Sequence, residues 1–145
     1  MKLPPDVTFH TEQRLMVWRP RGILDEKVVS QIITFIGSAE ATSQRPFDRF
    51  TDTTLLDAID LSFDYVFHVA LYRRMTYAGH PKVKSGFLVK WGRSDHEAKL
   101  HALLTERSSL DVKLFEDLEA AAKWLNVSAA LLQPGDAALK FPTSK

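Results

Sequence analysis

"KVKSGFLVKW", Lys82 to Trp91, is the stretch on which the fold turns. Its centre, Phe87 to Val89, is apolar at consecutive positions, so both faces of a strand built here are apolar. An interior strand covered by helices on each side has that character, as in parallel sheets. The neighbouring segments agree. Upstream, the spacing predicts a long helix from about Ser62 to Tyr77, apolar around much of its circumference through Phe63, Val66, Phe67, Ala70 and Leu71. Downstream, "SDHE" (Ser94 to Glu97) is a capping box that opens another helix, with Leu100, Leu103 and Leu104 as its inward stripe.

The same alternation extends to both ends. "DVKLF" reads as the last strand, and Asp117 caps a final helix whose Leu118, Ala121, Ala122 and Leu125 share one face. A short helical turn, "SAALL", follows Asn126, then "QPGD" and a tail expected to fray. At the other end, "VTFH" and "RLMVW" flank Thr11 to Gln13 as a hairpin, with Leu15 and Val17 on one face. "RPRG" breaks that pattern through Pro20 and Gly22. Asp25 is an N-cap, and Leu24 and Val29 form a hydrophobic staple. Val28, Val29, Ile32, Phe35 and Ile36 then keep helical spacing up to Gly37, which suits a left-handed stop. A polar loop, Ser38 to Pro46, leads to a third strand, "FDRFT". The expected order is β-β-α-β-α-β-α-β-α, an α/β domain with a mixed, mostly parallel sheet covered by helices. Residues 1–127 form that domain, and 128–145 a helical turn and mobile tail.

Bulk properties narrow the function. The chain has 145 residues, 45% of them hydrophobic and 26% charged, as in an ordinary globular domain. With 19 basic and 18 acidic side chains, no overall field favours nucleic acid or an anionic membrane. It has no cysteine, which excludes disulfides, thiol nucleophiles and Cys-based zinc sites. "MKLPPDVTFH" lacks the apolar run of a signal peptide, and no segment approaches the roughly 20 apolar residues of a spanning helix. A cytoplasmic protein is expected.

No reactive constellation emerges from spacing. The histidines of "HEAKLH", His96 and His101, are five apart, about 140° off a shared helix face, so one helix cannot aim both at one ion. These and His10, His68 and His80 read as exposed or capping. "GHPKVKSG" lacks the spacing of a phosphate-binding loop, which leaves Lys82 and Lys84 as solvated strand ends. No GxSxG elbow occurs. Asp52, Asp57 and Asp60 are the acidic set for a divalent ion at a strand's carboxyl end, although turn and cap duty suits them better. Trp18 with Arg19 and Arg21, Arg73 with Arg74, and Lys90 with Trp91 and Arg93 are candidates for stacking on and pairing with an anionic ligand.

"TDTTLLDAIDLS", Thr51 to Ser62, reads as a strand ending in Asp52, then a polar turn into a helix. The stretch resembles the central signature of STAS domains, the anti-sigma-factor-antagonist family. On that register Ile59 is the apolar residue and Asp60 the aspartate; Leu61 stands at the phosphorylated serine, Ser62 at the second serine, and Phe63 replaces the glycine. "VKLFEDLEAAAKWL", Val112 to Leu125, is similar to the ending of the SpoIIAA-like branch of small bacterial proteins, also called STAS/SEC14-like. The resemblance covers about residues 7 to 127. It implies a non-enzymatic regulatory domain that needs no cofactor or metal and contacts a protein partner or a second copy of itself. The surface would be Asp52, Thr53, Thr54, Asp60, Leu61 and Ser62 with the helix behind them. Leucine cannot accept a phosphoryl group, so the switch is expected to be lost. The SEC14-like side implies an alternative, a carrier of a lipid or small molecule, to which the aromatics Phe63, Tyr65, Phe67, Tyr72 and Tyr77 lend themselves.

Overall fold

In the computed structural model, which describes residues 3–90, 101 and 109–133, the opening hairpin pairs β1 (Val7–His10) with β2 (Leu15–Trp18) antiparallel. β4 (Asp48–Asp52), β6 (Val83–Leu88) and β7 (Leu110–Phe115) then add in parallel, giving a five-stranded sheet of order β1-β2-β4-β6-β7. The expected mixed, mostly parallel sheet is the one observed. β2 shows how period-2 patterning sorts the layers. Leu15 and Val17 face a core built with α3 (Leu118–Leu125), whereas Met16 and Trp18 face a core built with α1 (Glu26–Ser43). Phe50, with no exposed surface, anchors the α3 layer, a burial that contributes about 1.5–3 kcal/mol. Gly86 keeps that layer close: a Cβ there would lie 3.4 Å from the Trp124 ring.

The N-caps fall where expected. Asp25 accepts from the Val28 amide, Ser62 caps α2 (Phe63–Thr76) through the Tyr65 amide, and Asp117 accepts from the Glu119 amide. Ala121, Ala122 and Leu125 are buried, and the 3₁₀ turn Ala129–Leu132 places Leu132 wholly inside the same core. The capping box Ser94–Glu97 and the stripe Leu100, Leu103 and Leu104 lie outside the described residues.

Three expectations need correction. Gly37 does not stop α1, which runs to Ser43 and ends on Gln44 at φ 59°. The extra turns are held by Ala39, packed on the core, and by Glu40, whose carboxylate accepts from the Phe47 amide (3.1 Å) and from Arg49 Nη2 (2.6 Å). Secondly, "RPRG" leads into a strand, β3 (Gly22–Asp25), and the supposed turn after Asp52 contains another, β5 (Leu56–Asp60). The two pair in parallel as a separate two-stranded sheet, with a register break after Gly22 at φ 75°. A short ribbon with one face in solvent and a bulge gives almost no alternation to read. Thirdly, α2 turns Val66, Ala70 and Arg73 inward and leaves Phe63, Phe67 and Leu71 exposed.

Candidate functional site

Side-chain alternation along β4 decides which groups can act together. Asp52 points to the α3 layer, where its Oδ2 accepts from Arg19 Nη1 at 2.9 Å and its Oδ1 from the Thr54 amide (2.9 Å) and hydroxyl (2.6 Å). Arg19 donates from Nη2 to the Leu132 carbonyl and so ties the 3₁₀ turn to the strand end. Burial draws the Arg19 guanidinium below its ordinary pKa, against the pull of Asp52. Both side chains are buried, so this is a closed structural pair. Trp18 and Arg19, expected on a basic-aromatic surface, lie inside on opposite faces of the sheet; Arg21 is exposed.

The other sequence candidates scatter. Thr53 is buried, its hydroxyl donating to the Leu88 carbonyl at 2.7 Å. Asp57 and Asp60 are exposed on β5, and among the described residues no three acidic or histidine side chains converge as metal ligands. Ser62 Oγ accepts from the Tyr65 amide at 3.1 Å and lies 3.5 Å from Glu26 Oε2, so a phosphate there would meet a carboxylate. Leu61 turns inward onto the α1 core. Arg74 and Lys90 are exposed, and Arg93 and Trp91 lie outside the described residues. Lys84, read as a solvated strand end, is half-buried with Nζ bonded to the Trp124 carbonyl at 2.8 Å.

What the opposite face of the sheet builds is a cavity. Between that face and helices α1 and α2 lies a space of about 110 Å³, several times the roughly 10–15 Å³ that one water needs. Leu24, Val29, Ile59, Leu61, Tyr65 and Val69 contribute to an apolar wall. Tyr65 also joins the helices, its hydroxyl 2.6 Å from Ser30 Oγ and 3.1 Å from the Glu26 carbonyl. The sheet supplies polar residues instead: Arg49 and Thr51 on β4, Thr53 just beyond its end, and Ser85 on β6, which stands opposite Arg49 in the register.

Arg49 and Arg73 give the cavity its electrostatics. Arg49 is held by Glu40 (2.6 Å), the Tyr77 hydroxyl (2.8 Å) and the Phe47 carbonyl (2.9 Å). Tyr77 passes its own proton toward Glu40 Oε1 at 2.6 Å, and burial raises its pKa. Arg73 is also buried but has no carboxylate bonded to it among the described residues; its Nη1 contacts His101 Nε2 at 3.4 Å. Arginine cannot accept, so that His101 nitrogen is the acceptor and the imidazole is neutral. Burial, then Arg73 and Arg49, push His101 down to about 3. Burial and Arg49 lower Arg73 to about 10, with Tyr77 and Glu40 opposing, so it stays charged at neutral pH. Arg73, expected as an anion contact on the surface, is buried, and so is His101, read as exposed or capping. Arg49 and Ser85 were missed. Their signal was polarity at alternate positions of two interior strands, 49 and 51, and 85, where a dry helix-covered face would be apolar.

No family model and no curated protein matches the chain. Among solved structures, it is similar to an uncharacterized protein of the DUF3478 family with a SpoIIAA-like fold from Shewanella loihica PV-4. The two share 18% identity at a TM-score of 0.52, over 82% of this chain and 90% of that one. The fold resemblance read from the sequence is therefore correct: this is a mixed α/β, SpoIIAA-like fold.

Proposed function

We propose that this SpoIIAA-like chain is a non-enzymatic binding domain that encloses a small, largely apolar ligand between its sheet and helices α1 and α2. The cavity carries the reading. An apolar space of about 110 Å³ beside two buried arginines is smaller than the roughly 300–1,000 Å³ of drug-sized sites and suits a small ligand, whereas a purely structural core closes such space. The phosphoswitch is absent from this reading because Leu61, at the position of the family's phospho-serine, forms part of the cavity wall. Native mass spectrometry of protein purified without detergent tests it. A bound organic mass that leaves on unfolding is expected; a clean unliganded mass, with no uptake of added amphiphiles, refutes it.

A regulatory role through protein contacts is the second reading, favoured by α2. Phe63, Phe67, Leu71 and Met75 recur every four residues and are 62%, 38%, 44% and 70% exposed, a solvent-facing apolar row beside the turn that ends at Ser62. A specific partner captured by the wild type and lost with Phe67→Asp supports it, and equal capture by both counts against that face. Concentration-dependent sedimentation tests the same row as a homodimer contact. Among the described residues, no helix is long and apolar enough to cross a membrane; a cytoplasmic location remains part of the proposal.

A further inference from the structure

The polar end of the cavity has more donors than acceptors. Among the described residues, Arg73 Nη2, Arg49 Nε and Ser85 Oγ are buried without a hydrogen-bond partner, and all three side chains line the cavity. They belong to one cluster. Ser85 faces Arg49 across the β4–β6 pairing, and Arg49 and Arg73 are near enough to repel each other. Unsatisfied buried donors are costly, and an unpaired buried cation more so. A fold that keeps both beside an open space has a use for an acceptor there.

The charge count says what kind of acceptor. Arg49 and Arg73 supply two positive charges and Glu40, bonded to Arg49, one negative charge. His101 is neutral, and so is Tyr77 at physiological pH. Among the described residues, the cluster is left with one uncompensated positive charge. A monoanion balances it, whereas a dianion such as a phosphate monoester would bury an excess negative charge. A carboxylate has two oxygens and about four acceptor directions, enough for three donors from a guanidinium, a second guanidinium edge and a hydroxyl.

We infer that the inner end of the cavity is an oxyanion subsite for an amphiphilic monocarboxylate, with Arg73, Arg49 and Ser85 holding the head and the α1–α2 wall holding the apolar body. This rests on the ligand-binding reading above and deepens it by fixing the ligand's chemical class. Arg73 supplies the charge; Ser85 and Arg49 fix the carboxylate's position against the sheet.

The test compares chains of equal length with different heads. The full-length protein, stripped of copurified lipid, is titrated calorimetrically at pH 7.5 with sodium octanoate, 1-octanol and octyl phosphate. Octanoate is expected to bind about tenfold or more tightly than octanol, the value of charge-assisted hydrogen bonds over a neutral hydroxyl. Arg73→Met should remove that preference by weakening octanoate while leaving octanol within about threefold, since the methionine preserves the apolar wall. Equal binding of octanoate and octanol by the wild type overturns the head-group assignment and leaves the cavity reading standing. Octyl phosphate binding tighter than octanoate overturns the choice of a monocarboxylate. Binding of none of the three sinks the cavity reading itself. Should Arg73→Met not fold, Ser85→Ala and carboxyl-labelled octanoate on the wild type decide. The bound carboxyl must titrate below the free acid by NMR, and Ser85→Ala must weaken octanoate more than octanol. An unchanged or raised carboxyl pKa, or equal weakening of both probes, refutes the subsite.

Discussion

Removing the carboxylate of Asp52 tests whether the strand-end aspartate is a structural partner or a free acid. Asp52→Asn keeps the shape of the side chain, and its amide oxygen can still accept from Thr54. What it cannot do is neutralise Arg19, whose side chain is 11% exposed and 2.9 Å from an Asp52 oxygen that is itself buried. Arg19 would keep its bond to the Leu132 carbonyl and lose its counter-charge. Breaking one side of a buried pair costs about 3–5 kcal/mol. The retained Thr54 contacts place this variant near ~3 kcal/mol, a large share of the roughly 5–15 kcal/mol that stabilises a domain. At about 2–4 °C per kcal/mol for a chain of this size, the midpoint should fall by about 6–12 °C. Urea and thermal melts followed by circular dichroism measure it. The double variant Arg19→Met with Asp52→Leu should recover more than half of the loss, because no uncompensated charge remains. A single variant within about 0.5 kcal/mol of wild type would show that Arg19 does not depend on Asp52, and the aspartate would return as a candidate acid.

Three further outcomes follow from the same physical terms. His101 has its folded pKa depressed from 6.5 to about 3 by burial and by Arg73 and Arg49, so the unfolded chain binds its proton first; stability present above pH 6.5 should fall as the pH drops toward 3, by up to ~1.4 kcal/mol per unit. Denaturant melts of His101→Leu should show that slope reduced between pH 6.5 and 5, and an unchanged slope contradicts the buried neutral imidazole. Gly37→Ala should raise stability by about 0.5–1 kcal/mol, since the position is helical and nothing lies within 4 Å of the added methyl; a loss would mean that the helix does break there. Ser62→Ala should cost about 0.5–2 kcal/mol in a chemical melt through the lost cap, and no change would remove Ser62 as the start of α2.

The sheet and most helix starts were legible because their signals are local and redundant. An apolar Phe87–Val89 centre marks a covered strand, and Asp25, Ser62 and Asp117 each precede a helical stripe at the position where a free amide needs an acceptor. Where one signal had to stand alone, the reading failed. Gly37 looked like a stop, but the helix continues because Glu40 is needed seven residues before the Phe47 amide and nine before Arg49, a tertiary demand that no helical pattern encodes. Among the described residues β3 and β5 pair only with each other, so neither had the two-faced apolarity that betrays a central strand. Arg73 was recognised as an anion contact, but its burial follows from which face of α2 meets the sheet, and Phe63, Phe67 and Tyr72 of that helix lie on the exposed face.

The strand alternation of β4 separates two uses of buried charge. On one face, Asp52 and Arg19 neutralise each other and peg the 3₁₀ turn to the sheet, so that side is closed by its own residues. On the other, Arg49 has its charge paired with Glu40 but keeps an unpartnered Nε, while Arg73, on α2, is left without an anion among the described residues. The same strand could have carried apolar residues at 49 and 51 and packed α2 down onto the sheet, removing both the cavity and the desolvated cation. Keeping a buried guanidinium without a counter-anion costs stability. The proposed site also excludes a switch at Leu61: a phosphorylated hydroxyl at that inward position would drive a dianion into the apolar cavity wall.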